Sequence, residues 1–165
     1  ILKGENDGKT IAFRADMDAL PIQETGNTSY KSIHDGIMHA CGHDAHIAML
    51  LGAAEVLAKI KNKINGEIRF IFQPAEEGYA GAKYMIEDGA IDGVDEIYGL
   101  HVWNYQPSGT IGIKSGPVMS NVSPSMPTPG NTTVSDKNPV TLTSDSGLTV
   151  VIIPCDASVP SHVTS

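Results

Sequence analysis

The sequence predicts an α/β fold: a three-layer sandwich with a mostly parallel sheet, truncated and followed by an irregular tail. Three observations predict it. Short apolar runs of strand length alternate with stretches of helical period through residues 10–114. All nine aromatic residues (three Phe, five Tyr, one Trp) lie within residues 1–120. Residues 121–165, by contrast, hold eight Ser, seven Thr and six Pro with only four charges, so that segment has little to bury and cannot sustain a helix. The expected division is a compact domain over 1–120 and a Ser/Thr/Pro-rich tail over 121–165.

Each element has a local reason. Thr10 to Ala15 is a short apolar run after a Gly-Lys turn and reads as a strand. Residues 44–60 read as a helix, because Ile47, Leu50, Leu51, Ala54, Leu57 and Ala58 recur at three- and four-residue spacing. Asp44 stands where a first-turn or capping acid would favour the exposed amides. Glu67 to Gln73 is nearly all apolar, as expected of a strand covered on both faces. Residues 80–88 read as a short helix stopped by Gly89, and Glu96 to Val102 as a third strand. Thr110 to Lys114 is an edge-strand candidate after the Pro107-Ser108-Gly109 turn. Leu148 to Ile153 has strand character but stands isolated and is stopped by Pro154. Strand–helix–strand–helix–strand is the order of a parallel α/β layer.

Composition narrows the function. Eleven basic and nineteen acidic residues give a net charge of −8, which repels phosphate backbones, so no nucleic acid partner is expected. No stretch approaches the ~18–20 unbroken apolar residues of a helical membrane span, so no membrane partner is expected either. Cys41 and Cys155 are too few for a disulfide framework and fit a reducing, cytoplasmic setting. The chain opens at Ile1 without a methionine, a basic stretch or an apolar leader, so a fragment of a longer protein is expected.

The reactive side chains fall where such a fold concentrates chemistry. Met38 to His46 runs straight into the long helix, and Gln73 to Gly78 is the loop leaving the second strand. His101 closes the third strand, while Asp16 and Asp18 follow the first. In an open parallel sheet the carboxyl ends of the strands line one crevice, so these segments would deliver acids, imidazoles and a thiol to one edge. Cys41 and His43, two residues apart, can point the same way from an extended loop, and both ligate zinc, manganese or cobalt. The side chains of adjacent Glu76 and Glu77 diverge, so one can bind metal while the other acts as a base toward the attacking water. His101 would complete the set from the third strand.

Each piece has a plainer reading when taken alone. A single Cys41 is more often a buried small hydrophobe than a ligand. His39 and His46 read as structural or supporting, and His34 and His162 as surface residues. A Glu-Glu pair is usually a solvated acidic loop, and Asp16-x-Asp18 usually turn chemistry. The triplets at Asn27, Asn121 and Asn131 match a glycosylation acceptor, but that pattern is short and common. The conjunction of Cys-x-His, Glu-Glu and a strand-end His on one edge favours a metal site.

These residues also carry a resemblance. Phe13 to Pro21, Met38 to His46, Gln73 to Gly78 and Gly99 to Trp103, in that order and spacing, resemble the signature blocks of the metal-dependent N-acyl-amino-acid amidohydrolases. This is the branch of the zinc carboxypeptidase/aminoacylase superfamily that includes hippurate hydrolases and auxin-conjugate hydrolases, and the resemblance runs from Gly8 to Met119. It implies that Cys41, His43, Glu77 and His101 fall on metal-ligand positions of a two-metal site filled by manganese, zinc or a similar divalent ion. Glu76 falls on the general base. Asp16 falls where the wider superfamily keeps an acid orienting a metal-binding histidine. In this branch Arg14 stands at that histidine's place, so Asp16 becomes a supporting residue. The implied reaction is hydrolysis of the amide of a small-molecule N-acyl amino acid or short peptide by a metal-activated water.

The sequence also departs from that pattern. Members of the branch are more than twice this length. Shortly after a segment matching Gly116 to Met119 they carry a lid domain, which dimerises and supplies a histidine that helps stabilise the transition state. Their catalytic domain then resumes with a last ligand histidine. Nothing in residues 120–165 resembles these parts, the surroundings of His162 do not match that ligand, and the usual N-terminal helices do not precede Ile1. A truncated product or a tail translated out of frame would each account for this. The alternatives are a catalytically inactive metal-binding fragment, an interaction fragment that pairs through an open sheet edge, or a cysteine hydrolase using Cys41 with a nearby histidine.

Overall fold

The computed structural model describes residues 1–103, 111–113 and 149–154. The strands are β1 (Leu2–Lys3), β2 (Asn6–Asp16), β3 (Asn65–Gln73), β4 (Glu96–Trp103), β5 (Gly112–Ile113) and β6 (Thr149–Pro154). The helices are α1 (His43–Lys59) and α2 (Gly81–Glu87), with a single 3₁₀ turn at Lys61–Lys63. Among the described residues the strands form one sheet in the order β1-β3-β2-β4-β6-β5. The inner four, β3-β2-β4-β6, run parallel, and the two-residue strands β1 and β5 close the edges antiparallel. This is the expected α/β layer.

The register sets the site. β2 pairs with β3 from Thr10↔Glu67 through Asp16↔Gln73, so the two strands end level. On its other side β2 pairs with β4 only from Ile11↔Glu96 to Arg14↔Gly99, and β4 runs on to Trp103. The connections β2–α1–β3 and β3–α2–β4 leave the sheet in opposite directions, so right-handed crossovers put α1 and α2 on opposite faces. The strand order reverses at β2, and the crevice beyond its carboxyl end is where open sheets bind ligands. The core on the α2 side joins Ala12, Ile71 and Ile97 to Met85, Ile91 and Val94.

Three details differ from the sequence reading. α1 buries His43, His46 and Leu50, with Ile47, Ala54 and Leu57 half-buried, but Leu51 is 55% exposed and Ala58 is exposed. At 3.6 residues per turn both lie about 80–100° round the axis from Leu50, off the arc that faces the sheet. The run at Thr149 is not isolated: it pairs with β4 from Tyr98↔Thr149 to Trp103↔Pro154. Pro154, which lacks an N–H, stands at the ladder's end. β1 is two residues long, too short for any periodicity to reveal.

No helix among the described residues is long and apolar enough to cross a membrane. Cys155, His162, the Gly116 to Met119 segment and the triplets at Asn121 and Asn131 lie outside the described residues.

Candidate metal centre at the sheet's carboxyl edge

The ends of β2, β3 and β4 and the start of α1 meet around His43. Its Nδ1 lies 2.9 Å from the carbonyl of Asp18. A carbonyl only accepts, so Nδ1 carries the proton and the Nε2 lone pair is left facing inward. That Nε2 is buried with no hydrogen-bond partner among the described residues. Around it stand Asp16 Oδ2 at 3.7 Å, Glu76 Oε2 at 3.9 Å and Glu77 Oε1 at 3.9 Å. An orphaned buried acceptor costs about 1–3 kcal/mol, which a bound cation would offset.

His101 is set by the same device. Its Nδ1–H donates to the carbonyl of Val102 at 2.5 Å, and its Nε2 stands 3.5 Å from Cys41 Sγ. The donor atoms of Cys41, His43 and His101 lie within 4.8 Å of one another, and so do those of His43, Glu76 and Glu77. His43 belongs to both groups. Imidazole, thiol and carboxylate donors converging in this way fit divalent metal ions.

Local backbone geometry makes this possible. Gly42 precedes α1 at φ 80°, turning the chain so that Cys41 and His43 serve one centre. A Cβ there would meet Val102 Cγ2 at 2.3 Å. After β3, the loop bearing Glu76 and Glu77 contains Ala75 at φ 53°, Gly78 at φ 94° and Ala80 at φ 51°. Two non-glycine residues in the left-handed region mark a backbone held in place by its surroundings. What holds it is Asp18, whose two carboxylate oxygens accept the backbone amides of Glu76 at 3.0 Å and Glu77 at 2.8 Å. The Gly81 amide closes the loop on the Ala75 carbonyl at 2.9 Å.

Electrostatics follow the geometry. Burial works against the Asp16 carboxylate, but the His46 hydrogen bond and the Arg14 guanidinium outweigh it and bring its pKa down to about 2. Burial, with the charges of Glu77, Glu76 and Asp16, pushes the Cys41 thiol up to about 12. Burial and the neighbouring Glu77 raise Glu76, and burial lowers His101. Cys41 and His101 therefore do not form a thiolate–imidazolium pair, which removes the support for a cysteine hydrolase.

The six residues singled out in the sequence, Asp16, Cys41, His43, Glu76, Glu77 and His101, all meet here. His39 and His34 are exposed and take no part. Asp18 reads from the sequence as one of the acids at this edge or as turn chemistry, and its part in holding the Glu76–Glu77 loop leaves no local signal, because its partners lie 58 and 59 residues away. His46 is buried within the cluster, with both ring nitrogens engaged by Asp16 and by the Val102 amide.

An open α/β sheet with a divalent-metal donor set at its carboxyl edge defines the class. Comparison with known proteins narrows it. The sequence profile of the peptidase family M20/M25/M40 matches residues 12–160. Thermostable carboxypeptidase 2 of Saccharolobus solfataricus is 54% identical over 121 residues, covering 72% of this chain and 31% of that protein. N-acetyl-L-cysteine deacetylase of Bacillus subtilis is 53% identical over 121 residues, covering 73% and 29%. Among solved structures, a dinuclear metal-binding peptidase of the M20 family from Bacillus subtilis superposes with a TM-score of 0.69 at 52% identity, covering 72% of this chain and 33% of that one. The chain belongs to the peptidase family M20/M25/M40. It spans about a third of the length of these relatives.

Proposed function

We propose that this chain forms the metal-binding half of an amidohydrolase site that hydrolyses the amide bond of N-acyl amino acids or short peptides. The observation that carries the reading is the buried, unpartnered His43 Nε2 facing Glu76 and Glu77. In this reading Cys41, His43, Glu77 and His101 hold two divalent ions, manganese or zinc. When bound, such ions polarise the scissile carbonyl and acidify the attacking water.

The chain's own residues do the rest. Glu76 takes the proton of the attacking water and later delivers it to the leaving amine. Its raised pKa suits both transfers, since a base poised nearer neutrality can release what it has taken. Asp18 fixes the backbone from which both glutamates project. Asp16 supports the site through its bonds to His46 and Arg14. The abrupt change of composition near residue 120 supports a compact metal-binding piece up to that point, to which the strand Thr149–Pro154 is added by its pairing with β4, and the free thiol of Cys41 supports a reducing, cytoplasmic setting.

The test is hydrolysis of N-acetyl and N-benzoyl amino acids by metal-stripped protein, before and after adding manganese or zinc. Turnover restored by metal and lost in Glu76→Gln, with metal binding retained, establishes the reading. Metal binding without turnover in the folded chain makes it an inactive metal-binding fragment. Absence of metal binding overturns the assignment of the four ligands.

A further inference from the structure

His46 makes two hydrogen bonds that leave no ring nitrogen for a metal ion. Its Nε2 accepts the backbone N–H of Val102 at 2.9 Å. The Nδ1 of the neutral ring must then carry the proton, and it donates to Asp16 Oδ1 at 2.5 Å. The other Asp16 oxygen accepts from Arg14 at 2.7 Å, and Arg14 in turn donates to Gln73 Oε1 at 2.7 Å. The His46 side chain is 0% exposed and its ring centroid lies 4.7 Å from that of His101. β2 stops pairing with β4 at Arg14↔Gly99, so the amide of Val102, three residues further on, has lost that strand as a neighbour. A side chain from α1 serves it instead.

We propose that His46 is a positioning residue for the metal centre. It fastens the stretch of β4 that lies beyond its pairing with β2 to the end of β2 through Asp16, and so fixes where the His101 Nε2 stands relative to Cys41. Val102 is the hinge of this arrangement: its N–H is held by His46 while its carbonyl orients the His101 ring. One residue thus donates the bond that locates the strand and accepts the bond that sets the ligand's tautomer. The proximity of His46 to Asp16 and His43 gives that trio the look of a further ligand group. Ligation through His46 Nε2 would require it to abandon the Val102 amide, leaving a half-buried donor without its acceptor. The inference rests on the reading of Cys41, His43, Glu77 and His101 as ligands.

Two measurements on the chain test it. In imidazole-nitrogen NMR of the unsubstituted chain, His46 is expected in the Nδ1–H form both before and after zinc is added, while the Nε2 resonances of His43 and His101 move. An Nε2–H tautomer, or a coordination shift at His46 Nε2, would overturn the proposal. The second measurement titrates cobalt(II) into His46→Ala, His46→Asn and His46→Gln, at temperatures where their far-UV circular dichroism matches the parent. The Gln oxygen reaches the position of Nε2 and can accept the Val102 amide, whereas Asn is too short. Ala and Asn are expected to weaken cobalt affinity by about 10- to 100-fold and to diminish the thiolate-to-cobalt band, with Gln recovering most of both. Equal loss in all three, or loss in none, would overturn it. If the unsubstituted chain binds no cobalt, the ligand assignment itself fails, and the positioning role fails with it.

Discussion

The carboxylate of Asp18 accepts the backbone amide of Glu77 at 2.8 Å, although the two residues are separated by 59 positions. The second oxygen does the same for Glu76 at 3.0 Å. One acid at the end of the first long strand thus holds the loop at the end of the next. The loop needs holding, since Ala75 and Ala80 both occupy the left-handed region. Asp18→Ala is expected to cost about 1–3 kcal/mol in stability, because two amides lose a charged acceptor. It should also weaken zinc binding by about 10- to 100-fold, although Asp18 is not among the proposed ligands. Asp18→Asn, which keeps one oxygen, should fall between. Thermal melting and zinc titration against a competing chelator measure the two effects, and an unchanged zinc affinity in Asp18→Ala would show that the loop holds itself.

Much of this arrangement was legible in the sequence, and the rest was hidden for identifiable reasons. The strands at Ile11, Ile68 and Ile97 announce themselves by apolar runs, and the helix beginning at His43 by its period, because those signals are local. The six site residues were legible because parallel topology sends strand ends to one edge whatever the details. The partners of Asp18 and His46 were not, since each bond joins residues 30 or more positions apart and leaves no mark on spacing. The strand at Thr149 was visible as a β-branched run, but its neighbour Tyr98 lies 51 positions earlier and only the fold supplies it. The exposure of Leu51 fails the apolar stripe for another reason: period alone does not say how wide an arc the sheet covers.

Cys41 governs the proton balance of metal binding. With its pKa pushed up to about 12, the thiol is almost wholly protonated at pH 8, about one thiolate in 10⁴. A metal ion binds the thiolate, so binding must expel that proton. His101, whose pKa is lowered, is already neutral and contributes none. Zinc added to weakly buffered protein near pH 7.5 is expected to release close to one proton from Cys41, and Cys41→Ser should release about one fewer. Before metal is added, the thiol should react with iodoacetamide far more slowly than a solvent-exposed cysteine. Rapid alkylation at pH 8 would contradict the buried, protonated state.

Asp16 links stability to acidity with a definite sign. Its folded pKa of about 2 lies below the ordinary ~3.9 of an unfolded aspartate, so the ionised form favours the folded state. The contribution is fully present above about pH 4 and is lost as pH falls through about 2. A shift of this size corresponds to about 2.5 kcal/mol. Urea unfolding at pH 7, 4 and 3 should show Asp16→Asn less stable than the parent at pH 7, with the gap narrowing toward pH 3. A gap that stays constant over that range would mean that the carboxylate's charge is not what His46 and Arg14 stabilise.

Gly42 is the most constrained position in the candidate metal centre, for two independent reasons. Its φ of 80° falls where any side chain is disfavoured, and a Cβ would sit 2.3 Å from the Val102 methyl. Relief of the first strain would rotate Cys41 away from His43. Relief of the second would push Val102, and with it the neighbouring His101, outward. Both movements separate the thiol from the imidazoles. Gly42→Ala is therefore expected to destabilise the fold by about 1–3 kcal/mol and to weaken zinc binding more than the stability loss alone would. Val102→Ala combined with Gly42→Ala removes the clash but not the backbone strain. If the double variant regains zinc affinity over Gly42→Ala, displacement of His101 is the dominant defect. If it does not, the turn between Cys41 and His43 is what the centre cannot lose.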